Sequence, residues 1–131
     1  MRPITKRMIK LYNIENLCFM GYEATKDNPY TYHHIKKVED GGKINLKNGA
    51  VLTLNAHEYL NTIEMRDYDI YLYLNNLFQK INEQGNKPTL QQYRTINHLL
   101  KLFEEQHKNE KFKSGKRVLK QIYLQRKIYD L

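Results

Sequence analysis

Cysteine is nearly absent from this chain: Cys18 stands alone among 131 residues. A single cysteine excludes an internal disulfide and a cysteine-ligated zinc site. It fits a reducing compartment. Tryptophan is missing altogether, against 11 tyrosines. Tyrosine packs on one side and hydrogen-bonds on the other, which suits half-buried surfaces and interfaces. No apolar run approaches the length of a membrane span. The basic start, Met1–Lys10, is not followed by the apolar stretch of a secretory signal. Internal repeats and low-complexity blocks are also lacking. The expectation is a soluble, cytoplasmic protein with no membrane partner.

What is present is a modest core and an excess of positive charge. Hydrophobic residues make up 40% and charged residues 27%, which is not a disordered composition. A core of this size can depend on a metal, a partner or a second copy of the chain. Lys plus Arg number 22 against 14 Asp plus Glu, a formal net charge of +8. That balance favours a polyanionic partner, DNA first among them.

The chain divides by texture into residues 1–65, mixed and turn-rich, and residues 66–131, almost entirely helical. In the first part, Ile9–Phe19 reads equally as a short strand or a helical turn. Asn28-Pro29 signals a loop. Tyr30–Ile35 is rich in β-formers and predicts a strand. Glu39-Asp40-Gly41-Gly42 and Asn48-Gly49 predict turns. Ala50–Leu54 predicts a second strand, and Asn55 a cap for a helix from Ala56 to Met65. In the second part, helical spacing of apolar residues predicts helices over Arg66–Gln84 and Leu90–Lys108, the latter capped by Thr89. A last, basic helix is predicted over Lys116–Tyr129. The fold class expected is α+β.

The chemistry-bearing stretch is Tyr32-His33-His34-Ile35, then Gly41-Gly42, then Asn48-Gly49, then Asn55-Ala56-His57. Adjacent strand residues point to opposite faces. His33 and His34 therefore cannot do the same job in a regular strand: one can turn to a metal while the other faces a substrate, if the strand ends or twists there. A neutral imidazole is a ligand for divalent transition metals and a general base near neutral pH. His57, at a helix start, can close a metal site from the opposite side. Two His ligands leave coordination positions open, as a catalytic metal requires.

The His-His pair, the Gly-Gly that follows it and the interval from Asn48 to His57 resemble the HNH (ββα-metal) endonuclease superfamily. The likeness is to bacteriocin nuclease domains of colicin type and to small phage HNH nucleases. It covers Leu17–Asn61 at most. It implies an HNH-like ββα-metal module over 1–65, with 66–131 a helical extension packed on it or forming a small bundle. It implies a metal-dependent endonuclease hydrolysing DNA phosphodiester bonds. His34 would be the general base, and His33 and His57 would bind one divalent ion (Mg²⁺, Mn²⁺, Ni²⁺ or Zn²⁺). Asn48 would hold the loop between the strands and so orient His34. Lys36 and Lys37 beside the histidines, and Lys116, Arg117 and Lys120 in the last helix, are candidate phosphate contacts.

The sequence departs from that family in two places. Colicin-type domains carry a further His where Asn61 stands, so Asn61 would bind the ion weakly or through water. The two Cys pairs that hold a structural zinc in many HNH proteins are not there: Cys18 matches the first Cys but Gly21 stands three residues later, and Thr53 and Ala56 occupy the second pair's places. The alternative is an HNH scaffold without catalysis, such as a phage-encoded inhibitor of a host nucleoprotein, for example a CRISPR effector. A DNA-binding regulator built on the helical half ranks third, because no helix-turn-helix spacing is found. Taken singly, the other features have plainer readings. Glu58 and Glu64 read as solvated helix residues, His98 and His107 as structural or solvent histidines, and Tyr68, Tyr71 and Tyr73 as packing tyrosines.

Overall fold

Pro3 at the first helical position and an apolar face through Met8 start the chain as a helix, α1 (Pro3–Leu11). A computed structural model describes residues 1–110. The predicted helix Lys116–Tyr129, and with it Lys116, Arg117 and Lys120, lies outside the described residues. After α1 come β1 (Tyr30–His34), a 3₁₀ turn (Val38–Asp40) and β2 (Gly49–Thr53). Helices α2 (Leu54–Arg66), α3 (Tyr68–Gln84) and α4 (Leu90–Gln106) follow. The described chain is therefore α+β, with four α-helices and one two-stranded antiparallel sheet.

The register pairs Tyr30 with Thr53, His33 with Ala50 and His34 with Gly49. The turn between the strands uses its glycines for two different reasons. Gly41 takes φ of 90°, the left-handed region that a side chain disfavours. Gly42 passes so close to the Lys36 carbonyl that a Cβ would collide with it.

Thr53, not Asn55, caps α2: its hydroxyl oxygen accepts from the Ala56 N–H at 3.3 Å. Asn55 is already the second helical residue, and its backbone N–H is taken by Asn28 Oδ1 at 2.8 Å. Asp67 breaks what would otherwise run on as one helix, and its side chain caps α3. Gly85 ends α3 in the left-handed conformation, and Thr89 with Gln92 forms a capping box for α4. The segment Ile9–Phe19, ambiguous in sequence, is the end of α1 followed by irregular chain. There Asn13 takes φ of 57°, and Phe19 donates to the Val51 carbonyl at 2.9 Å.

One hydrophobic core cluster draws on every helix and both strands. It runs from Met8 through Phe19, Val51, Leu52, Tyr59 and Leu60 to Leu74, Phe78, Leu100 and Phe103. Helix α3 lies across α2 and also touches β2. Among the described residues, no helix is long and apolar enough to cross a membrane.

Candidate functional site

The alternation of β1 sorts its side chains onto two faces. Thr31 and His33 face α2 and α3, where His57 and Asn75 meet them. Tyr32 and His34 share the other face, their rings edge-on at 4.9 Å. His34 is the last residue of β1, and there the two faces open onto one cleft of about 510 Å³. The cleft brings together His33, His34, His57 and Asn61, with Lys37 and Glu64 on its wall. Asn61 stands one turn after His57 on α2, and its side chain is exposed.

The hydrogen bonds fix which nitrogen of each inner histidine is free. Thr31 has one hydroxyl proton, and it goes to the Leu52 carbonyl at 2.9 Å. Its oxygen must therefore accept from His57 Nδ1–H, also at 2.9 Å. That leaves the lone pair of His57 on Nε2. His33 Nε2 lies 2.8 Å from Asn75 Oδ1, while Asn75 Nδ2 points to the Ile35 carbonyl. His33 therefore carries its proton on Nε2 and its lone pair on Nδ1. The His33 and His57 rings lie 5.4 Å apart, nearly perpendicular.

The fold favours the neutral form of all three histidines. Burial is the main cause for His33, whose pKa falls to about 4; the Asn75 bond opposes this, and His57, His34 and Lys37 add to it. His57 is lowered by burial, then by His34. His34 is lowered by partial burial of its ring and by the charge of Arg2. His34 Nε2 is covered and has no hydrogen-bond partner.

Asn48 is a brace between the strands. Its Oδ1 accepts from the Lys36 N–H at 2.7 Å, and its Nδ2 donates to the carbonyls of Lys36 and Lys43 at 3.0 and 2.9 Å. The Ile35 N–H donates to the Asn48 carbonyl at 2.8 Å. Together these pin the chain just after His34. Lys36 is exposed, whereas Lys37 is ion-paired to Glu64. Lys37 therefore offers a phosphate less charge than its sequence position suggests. Glu64 is a half-buried cleft residue and not a solvated one, because Lys37 reaches across to it.

Among the described residues, no group of three or more His, Cys, Asp and Glu side chains is arranged to hold a metal ion. The donors that do gather are two imidazoles, with the Asn61 amide beside them. Two imidazoles on one tetrahedral ion at ~2.1 Å from each nitrogen place their ring centroids roughly 5 Å apart. The His33–His57 centroid distance of 5.4 Å is compatible with that spacing and equally with edge-to-face packing of the two rings, and each ring has one nitrogen outside its Asn75 or Thr31 bond.

Two participants do not stand out in the sequence, Thr31 and Asn75. Asn75 leaves a trace there: it is a polar residue between Tyr71, Leu74 and Phe78 on the buried face of α3. A polar group in that position needs a partner. Thr31 leaves none, since threonine is an ordinary strand residue. His98 is exposed, and His107 pairs with Glu110 and stacks on Phe103. Tyr71 is buried while Tyr68 and Tyr73 are exposed. Comparison with protein-family models, with curated proteins and with solved structures returns no match for this chain.

Proposed function

We propose that this chain is a metal-dependent endonuclease of the HNH (ββα-metal) type, hydrolysing DNA phosphodiester bonds with His34 as general base. One observation carries the reading. The order β1, braced loop, β2, α2 gathers His33, His34 and His57 in one open cleft, and in each of the inner pair burial favours the neutral ring and one nitrogen is left out of the Thr31 or Asn75 bond.

Within that reading, each residue has a distinct task. His33 and His57 hold one divalent ion (Mg²⁺, Mn²⁺, Ni²⁺ or Zn²⁺), with Asn61 as a weak or water-mediated third donor. Imidazole donors favour the transition metals. The bound ion supplies Lewis-acid stabilisation of charge on the phosphate and the leaving oxygen. His34, whose lowered pKa favours the neutral ring, takes the proton from the attacking water. Asn48 fixes the backbone after His34 and so holds its ring toward the cleft.

A second reading keeps the scaffold without the chemistry: a binding protein that engages a host nucleoprotein. Asn61 in a ligand's place and the Lys37–Glu64 pair on the cleft wall favour it.

The test is nicking of supercoiled plasmid with each of the four metals. His34→Ala is expected to reduce the rate by about 10²–10⁴-fold while the circular dichroism spectrum stays the same. No cleavage by the wild-type chain with any of the metals would refute the nuclease. A nucleoprotein complex that survives His34→Ala would then favour the second reading.

A further inference from the structure

The first acidic residue of the chain is Glu15, and none stands between Asp40 and Glu58. The first of these acid-free stretches carries Arg2, Lys6, Arg7 and Lys10; the second carries Lys43 and Lys47. They are far apart in sequence, and the fold joins them. Met8 of α1 lies against Gly49 beside the Tyr32 ring. A groove of about 390 Å³ runs between Ile4 and Arg7 of α1 and the segment Ile44–Lys47.

All six cations are exposed, and none is in an ion pair among the described residues. Lys37, Lys87 and Arg66 have acidic partners, while Lys80, Arg94 and Lys101 on α3 and α4 are, among the described residues, unpaired like these six, so what sets this face apart is its two acid-free stretches. The same side of the sheet carries His34, edge-on to Tyr32, and the charge of Arg2 acts on both rings. Arg7 and Lys47 line one groove with no acidic residue among the described residues of its lining. Unpaired cations of this kind attract a polyanion, which releases counterions as it binds.

We propose that α1 and the 43–47 segment form a backbone-binding face for duplex DNA, which lays one strand's phosphates alongside His34. The proposal rests on the nuclease reading for its ligand. It adds a site at the opposite end of the chain from the basic C-terminal residues singled out in the sequence.

The test is anisotropy of a short labelled duplex with the full chain in EDTA, where metal-dependent cleavage does not enter. The triple variant Lys6→Gln/Arg7→Gln/Lys10→Gln is compared with Lys80→Gln/Arg94→Gln/Lys101→Gln, a charge-matched change of exposed residues on α3 and α4. The α1 variant is expected to weaken binding by about tenfold or more. It should also flatten the log–log salt dependence by about 0.9 for each phosphate it no longer neutralises. The control should weaken clearly less. Circular dichroism checks that both variants fold.

Equal weakening in the two variants overturns the proposal, as does a wild-type chain that binds no duplex. Polyglutamate that competes as well as unlabelled duplex at equal charge assigns the face to an acidic protein and also overturns it. If the α1 variant alone loses affinity but no metal supports cleavage, the nuclease reading falls and the backbone-binding face stands. If cleavage occurs and the two variants bind alike, the reverse holds.

Discussion

His33 is a titratable group enclosed by the rings of His57, Tyr71 and Phe78, with one hydrogen bond to Asn75. Its ordinary value is 6.5, and in the fold it lies at about 4. Between those values the unfolded chain binds a proton that the folded chain does not. Stability is therefore complete above 6.5, falls as pH drops toward 4, and the loss levels off below that. At full development the shift corresponds to roughly 3 kcal/mol. Metal-free melts should show a lower Tm at about pH 4.5 than at neutral pH, with a smaller drop in His33→Gln. Equal drops in the two proteins would mean that His33 is not buried neutral. His34 differs in kind: its ring is partly exposed, and its lowered pKa keeps it deprotonated further into the acid range.

At the scale of elements, the site is assembled by what its neighbours supply. Strand β1 brings the two adjacent histidines, α2 brings His57 and Asn61, and α3 reaches over with Asn75. Thr31 and Asn75 touch no substrate in the proposed reaction; they are positioning residues that select a tautomer. Such partners of metal-ligating histidines are typically worth about 10–100-fold in metal affinity. Thr31→Val and Asn75→Leu should therefore each weaken binding of Ni²⁺ or Zn²⁺ by about that factor in calorimetry, with helix content unchanged. Wild-type affinity in both variants would show that these bonds do not set the ligand nitrogens.

Across the whole molecule, the helical half and the strand–loop–strand half share one core. Phe78 of α3 meets the Phe19 ring at 5.9 Å and the His33 ring at 6.0 Å, so it belongs to the core and to the back wall of the site at once. Phe78→Ala should cost about 3–5 kcal/mol. Because Leu52, Leu60, Leu74 and Leu100 are fully buried in the same cluster, tyrosine fluorescence and far-ultraviolet circular dichroism should report one coincident unfolding transition in urea. Two separated transitions would mean that the halves fold independently.

Local sequence carries most of the elements and the residue types of the site. The strand Tyr30–His34, the turn at Gly41-Gly42, the strand after Gly49 and the helices ending near Gly85 and beginning after Thr89 are written in local propensity and turn chemistry. That physics acts over a few residues and is readable from them. The α1 helix is harder to see, because its cations mask an apolar face that only Thr5, Met8 and their neighbours define. The cap of α2 is ambiguous in sequence because Thr53 and Asn55 are both good caps, and Asn28 takes the backbone of the second.

The remaining features arise from packing. It set Asn75 against His33 and Thr31 against His57, across gaps in sequence that no local pattern spans. It tied Lys37 to Glu64 and brought α1 beside the 43–47 segment. Which nitrogen is free, which cation is unpaired and which imidazole stays neutral all depend on burial and on partners distant in the chain. Those are properties of the packed molecule and not of any stretch within it.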